Sequence, residues 1–133
     1  MERIEPNDVA ERLLPVLEES EGLLAAYLFG SRARGAATRE SDLDVGILFD
    51  RRAGLEQLIH LQQELEDAAG VSVDVVDLRA ASPFLALDVV RGIRFFCKDE
   101  IACDELELYV LRRAGDLEPL ERERRAGLLG LEM

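Results

Sequence analysis

The chain has 133 residues, 48% of them hydrophobic, and carries 28 acidic against 16 basic residues, for a formal net charge of -12. This length and hydrophobic fraction predict one domain with its own core. The acidic surface disfavours a long nucleic-acid substrate, because it repels the phosphate backbone. No apolar stretch reaches the roughly 18 residues that span a bilayer, and the first residues lack the apolar core of a signal peptide. We therefore expect a cytoplasmic protein with no membrane partner.

Eight segments follow one another along the chain. Apolar residues at helical spacing predict helices, and short apolar or β-branched runs predict strands. Their alternation predicts an α/β (α+β) layer fold. In chain order the sequence predicts a helix capped near residue 8, strands over 23–29 and 43–49, a helix over 54–69, a strand over 71–76, a helix over 83–91, a strand over 93–97 and a helix from residue 100.

Glycine, proline and serine mark where these elements start and stop. Pro15 falls inside the first helical pattern, so we expect a kink or a new turn there. Gly70 is a typical stop for the second helix. Ser82 is an N-cap candidate followed by proline at the first helical position. The last helical pattern is expected to break near Gly115 or Pro119.

Two short motifs at the first two strands suggest chemistry. Gly30-Ser31 follow the first strand, and after ten residues come Asp42 and Asp44, at the start of the second strand. Residues i and i+2 of a strand share one face, so these carboxylates should project side by side. Mg²⁺ prefers oxygen ligands of this kind and usually shares them with substrate phosphates. A glycine-serine turn offers backbone N–H groups and a hydroxyl to phosphate oxygens. The pattern predicts metal-dependent phosphoryl or nucleotidyl transfer.

A two-metal site also needs a third carboxylate from a neighbouring strand. The third strand offers Asp74 in its middle and Asp77 at its end, on opposite faces. We assign the site to Asp74, because an unpaired carboxylate between valines would be costly without a function. Asp77 stays open as the alternative, although a turn or capping role is ordinary at a strand end.

The spacing Gly-Ser-x10-Asp-x-Asp, over residues 30–44, resembles the nucleotidyltransferase superfamily that includes DNA polymerase β. The short length and the wording FGSRARG…SDLDV resemble its MNT-type minimal branch, commonly found beside HEPN-domain toxins. The resemblance implies a nucleotidyltransferase fold whose small mixed sheet has helices packed mainly on one side. It implies residues 1–98 as the minimal nucleotidyltransferase core and residues 99–133 as a helical tail of the same domain.

The resemblance also implies the reaction, in which a nucleoside monophosphate passes from a triphosphate, here ATP, to an acceptor hydroxyl with one or two Mg²⁺ ions. Arginines in the turn can neutralise triphosphate charge, because guanidinium pairs bidentately with phosphate. The alternative for these arginines is a solvated turn. The expected site consists of catalytic and metal-binding Asp42, Asp44 and Asp74, and nucleotide-binding Gly30, Ser31, Arg32 and Arg34.

The acceptor follows from the resemblance alone. No separate acceptor-binding domain is expected within the sequence, so another chain should hold the acceptor. The resemblance implies a HEPN-domain ribonuclease toxin that is adenylylated on a tyrosine and thereby silenced, in a hetero-oligomer. We therefore expect a protein adenylyltransferase that acts as an antitoxin. Two alternatives stay open: a small-molecule nucleotidyltransferase of the aminoglycoside-modifying kind, and an antitoxin that acts by binding alone.

Overall fold

The eight expected elements are present, in the expected order. The computed structural model describes residues 6–30 and 42–129, with the side chains of residues 8–30 and 42–115. Within those ranges no helix is both long enough and apolar enough to cross a membrane. The elements are α1 (Pro6–Glu19), β1 (Leu23–Phe29), β2 (Leu43–Phe49), α2 (Leu55–Ala69), β3 (Val73–Asp77), α3 (Pro83–Val90), β4 (Ile93–Cys97) and α4 (Glu100–Leu129).

Most element ends lie where the sequence puts them. Gly70 ends α2 in the left-handed conformation, with φ 74°, and the Ser82 side chain caps α3 by accepting the Leu85 N–H. The expected break in the last helix is wrong, because α4 runs on through residues 115 and 119. Pro15 lies inside α1, which continues to Glu19, and a kink at Pro15 stays a prediction. Intrinsic propensity is a weak prior that the surrounding structure routinely overrides.

The four strands form one mixed sheet in the order β3-β2-β1-β4. The strand β1 pairs antiparallel with β2 on one side and with β4 on the other. The strands β2 and β3 are parallel, and α2 makes the crossover between them, as a parallel connection requires. The predicted α/β fold with a small mixed sheet is therefore confirmed.

Helices cover both faces of this sheet. One core cluster joins the sheet to α1 and α2, and a second joins its other face to α3 and α4. The expectation that helices pack mainly on one side is therefore wrong. The reason lies in β1 and β2, which bury apolar side chains on both faces, and such strands need cover on both sides.

A partly buried polar network joins α4 to the sheet. The hydroxyl of Tyr27, a fully buried residue of β1, donates to Glu107 Oε1 over 2.7 Å. Arg94 of β4 donates to the same oxygen over 2.9 Å and to Asp104 over 3.1 Å. Burial and the Glu107 carboxylate raise the pKa of Tyr27 above its ordinary value. The phenol therefore stays protonated and keeps its role as donor.

This network predicts how stability changes in alkali. The folded state holds the Tyr27 proton more tightly than the unfolded chain, whose tyrosine pKa is about 10. The stability from this group is thus complete below about pH 10 and is lost as pH rises through the higher folded pKa. Tyr27→Phe should lose about 1 kcal/mol of unfolding free energy at neutral pH and decline less steeply in alkali. Urea unfolding across pH checks this, and parallel alkaline declines in both proteins would contradict it.

Candidate active site

Asp44 and Asp74 lie side by side on the two parallel strands β2 and β3. They are register partners in the β2–β3 pair, and each lies in the first two residues of its strand. In-register residues of neighbouring strands project to the same face of a sheet. Asp44 is half-buried and Asp74 is exposed. The fold thus brings two carboxylates, separated by 30 positions in the sequence, side by side at one end of the sheet.

Asp42 extends this acidic group by one further position. It is exposed and immediately precedes β2. The alternation expected from the sequence is confirmed, because every second residue of β2 packs under α1 and α2, leaving Asp44 on the opposite face. Those packed residues are Leu43, Val45, Ile47 and Phe49.

Gly30 brings the end of β1 against the same carboxylate. Phe29 is the register partner of Asp44, and Gly30 turns away from the strand with φ +75°. A Cβ at Gly30 would collide with Asp44 Oδ2, so position 30 needs glycine for both its conformation and its close approach. The predicted phosphate-binding turn therefore begins beside the carboxylates. Ser31, Arg32 and Arg34 lie outside the described residues, and their roles stay predictions.

Asp77 faces the other way and has a different environment. Its register partner is Ile47 of the core under α1 and α2. Its buried carboxylate accepts the Ala53 N–H at Oδ2 over 3.1 Å and the Arg79 N–H at Oδ1 over 3.0 Å. These bonds tie the connection after β2 to the turn after β3. Asp77 therefore organises loops and does not share the face of Asp44.

The premise used to choose Asp74 is wrong, although its position suits the site. Asp74 is exposed, whereas its place between valines suggested an apolar surrounding. The difference arises because β3 is an edge strand of the sheet. Its exposure leaves the Asp74 carboxylate accessible to a ligand on the face that it shares with Asp44.

Gly46, which was not predicted as a functional residue, allows α3 to pack closely against β2. A Cβ at Gly46 would collide with the Val89 side chain of α3. Gly46 lies two residues after Asp44 on the same face of β2. A glycine inside an otherwise apolar strand is the signal, because it often marks the close approach of another segment. The contact places α3 against β2 two residues after Asp44.

The donor set suits a magnesium ion that the protein shares with its substrate. Among the residues that the structure describes, no three His, Cys, Asp or Glu side chains already form a cluster that could hold a metal. Mg²⁺, however, usually binds through one or two carboxylates together with waters and substrate phosphates, rather than in an all-protein cage. The carboxylates of Asp44 and Asp74, which lie on one face of the sheet, fit that mode.

A cavity of about 470 Å³ lies between α3 and α4, away from the carboxylates. The residues that line it include Leu48, Leu78, Tyr109 and Arg113. Leu48 and Leu78 each follow an acidic site residue by four positions along the chain, so the cavity lies towards the other end of β2 and β3. Asp42, Asp44 and Asp74 are not among the residues that line it.

Comparison with known proteins fits this geometry. Residues 11–101 match the family described as "Polymerase beta, Nucleotidyltransferase", and the chain belongs to that family. It is 33% identical over 101 residues to protein adenylyltransferase MntA of Shewanella oneidensis, a match that covers 75% of this chain and 70% of that protein.

Two solved structures share the fold over nearly the whole chain. A toxin-antitoxin crystal structure with AMP-PNP aligns with TM-score 0.70 at 28% identity, covering 90% of this chain and 94% of that one. A tri-AMPylated Shewanella oneidensis HEPN toxin in complex with MNT antitoxin aligns with TM-score 0.71, covering 93% of this chain and 98% of that one. At 21% identity the second likeness concerns the fold alone.

The two faces of β3 predict opposite outcomes for two similar substitutions. Asp74→Asn should abolish nucleotidyl transfer with little change in stability, because Asp74 is exposed and shares the face of Asp44. Asp77→Asn should retain transfer but lose about 1–3 kcal/mol of unfolding free energy, since a buried charged acceptor is replaced. A transfer assay beside urea unfolding separates the two. An inactive Asp77→Asn with an active Asp74→Asn would mean that the site uses the other face of β3.

Proposed function

We propose that this protein is a Mg²⁺-dependent protein adenylyltransferase that moves AMP from ATP to a tyrosine hydroxyl of a HEPN-domain toxin and so acts as its antitoxin. The observation that carries the proposal is the register pairing of Asp44 with Asp74 next to the Gly30 turn. This arrangement offers metal-binding oxygens and a close backbone approach at one end of the sheet. Membership of the nucleotidyltransferase family supports the reaction type.

The proposed site residues have two roles, which are to bind the triphosphate and to bind magnesium. The Gly30 backbone and the Ser31 hydroxyl would hold the triphosphate, with Arg32 and Arg34 offsetting its charge. Asp42, Asp44 and Asp74 would hold the magnesium, which when bound offsets the negative charge that develops on the phosphate oxygens. The main contribution of the protein is then the positioning of the two reactants.

The bond changes balance without any further reactant. The acceptor oxygen forms a bond to the α-phosphorus of ATP, and the bond from that phosphorus to the bridging oxygen of the β-phosphate breaks. Pyrophosphate leaves with that electron pair. The hydroxyl proton passes to a nearby base, and we assign this role to Asp74, whose carboxylate is accessible on the site face.

The choice of a protein acceptor rests on the relatives and on charge. MntA of Shewanella oneidensis is named a protein adenylyltransferase, and the solved relatives are toxin-antitoxin assemblies, one of them with an AMPylated HEPN toxin. The net charge of -12 here favours a partner with a basic surface. Complementary charge would accelerate association and make it sensitive to salt.

The proposal predicts a mass gain on the toxin. Incubation of the toxin with this protein, ATP and Mg²⁺ should add one or more AMP groups, and intact-mass analysis should show them in whole steps. Asp44→Asn should co-purify with the toxin yet add no AMP, because it removes a metal-binding charge and leaves the outer surface intact. Asp67→Asn is the matched control, since it removes an exposed carboxylate of α2.

Toxin ribonuclease activity distinguishes the remaining possibilities. We expect the wild type and Asp67→Asn to silence the toxin lastingly, so that it stays inactive after the antitoxin is removed. Asp44→Asn should silence it only while bound. If Asp44→Asn silences the toxin as lastingly as the wild type, the protein acts by contact alone. If no toxin gains mass but an aminoglycoside does, the acceptor is a small molecule.

A further inference from the structure

One peptide group, between Ser72 and Val73, is held from two directions at the start of β3. Its carbonyl oxygen accepts the Leu43 N–H of β2 over 2.9 Å. Its N–H donates to Glu66 Oε2 of α2 over 3.0 Å. Val73, which carries this N–H, immediately precedes Asp74, and Leu43 immediately precedes Asp44. The peptide group therefore joins α2 to both carboxylate-bearing strands, immediately before their acidic residues.

The Glu66 contact meets a need that the sheet itself leaves open. Within residues 6–30 and 42–129, β3 lies at the edge of the sheet and pairs only with β2, so in that part of the chain the N–H groups on its outer side have no strand partner. Glu66 supplies a carboxylate to one of them, and hydrogen bonds to a charged acceptor are stronger than neutral ones. The Glu66 carbonyl also accepts the Gly70 N–H that ends α2, over 2.8 Å. The side chain and the backbone carbonyl of Glu66 therefore both hold the short connection from α2 to β3.

We propose that Glu66 is a positioning residue that holds β3 in register with β2, so that the Asp74 carboxylate lies where it can share a magnesium ion with Asp44. The proposal rests on the proposed function, because it assigns Glu66 a part in the same site. In this proposal Glu66 acts on the metal site through the Ser72–Val73 peptide, to which it is hydrogen-bonded. The sequence pattern alone indicates only that Glu66 lies on a helix.

A purely structural role for Glu66 makes a different prediction. If the contact only stabilises the connection after α2, its loss should lower the unfolding free energy and leave metal affinity unchanged in the folded protein. If it positions Asp74, its loss should weaken metal binding even where the protein is fully folded. Partners of this indirect kind typically change metal affinity or activity by about 10–100-fold when they are removed.

The test compares Glu66→Ala, which removes the acceptor, with Glu66→Gln, which keeps an oxygen in its place. Glu64→Ala is the matched control, since Glu64 lies on the same helix and pairs with His60 at the surface. The first measurement is Mn²⁺ affinity by electron paramagnetic resonance, with a non-hydrolysable ATP analogue present. The second is the Mg²⁺ dependence of AMP transfer to the toxin. Circular dichroism confirms that each variant is folded.

We expect Glu66→Ala to bind Mn²⁺ about 10–100-fold more weakly and to need correspondingly more Mg²⁺ for transfer. Glu66→Gln and Glu64→Ala should stay close to the wild type. Wild-type metal affinity in folded Glu66→Ala would overturn the inference, as would a wild type that binds no Mn²⁺. If Mn²⁺ affinity depends on Glu66 but no toxin gains AMP, the inference stands and the proposed function fails.

Discussion

The parallel pairing of β2 with β3 is the constraint on which the site depends. It places Asp44 opposite Asp74, and a slip by one residue would turn Asp74 to the other face. Backbone hydrogen bonds hold this pairing at both of its ends. The Ile47 carbonyl accepts the Leu78 N–H at one end, and the Leu43 N–H binds the Ser72 carbonyl at the other. The two carboxylates can share a ligand only while this register holds.

Burial on both faces supplies most of that rigidity. The strands β1 and β2 lie in the centre of the sheet and are almost wholly buried. Helices α1 and α2 cover one face, and α3 and α4 cover the other. Two specific contacts hold the helices of the second face. Val89 of α3 packs closely against Gly46, and Glu107 of α4 accepts a hydrogen bond from Tyr27. Rigid strands then carry the chemical groups at their ends, where a ligand can reach them.

The sequence predicts most of the secondary structure and part of the candidate site, because hydrophobic periodicity and the glycine and proline residues at the ends of elements are local signals. Three strands have the bounds expected from their apolar runs, and Gly30 and Asp44 meet as their spacing suggests. The features that the sequence did not predict arise from tertiary packing. Cover on both faces and the exposure of Asp74 at an edge strand depend on how elements pack. The loop-binding role of Asp77 depends on the N–H groups of Ala53 and Arg79, which a one-dimensional pattern does not bring together.

The most direct test of the central claim is the location of a bound metal. Crystals of the protein with Mn²⁺ and a non-hydrolysable ATP analogue would reveal the ion through its anomalous scattering. We predict a peak on the face of the sheet that Asp44 and Asp74 share, within ligand distance of both carboxylates and of the triphosphate, next to Gly30. A peak at Asp77, or a nucleotide bound in the cavity between α3 and α4 with no metal at Asp44, would contradict the account.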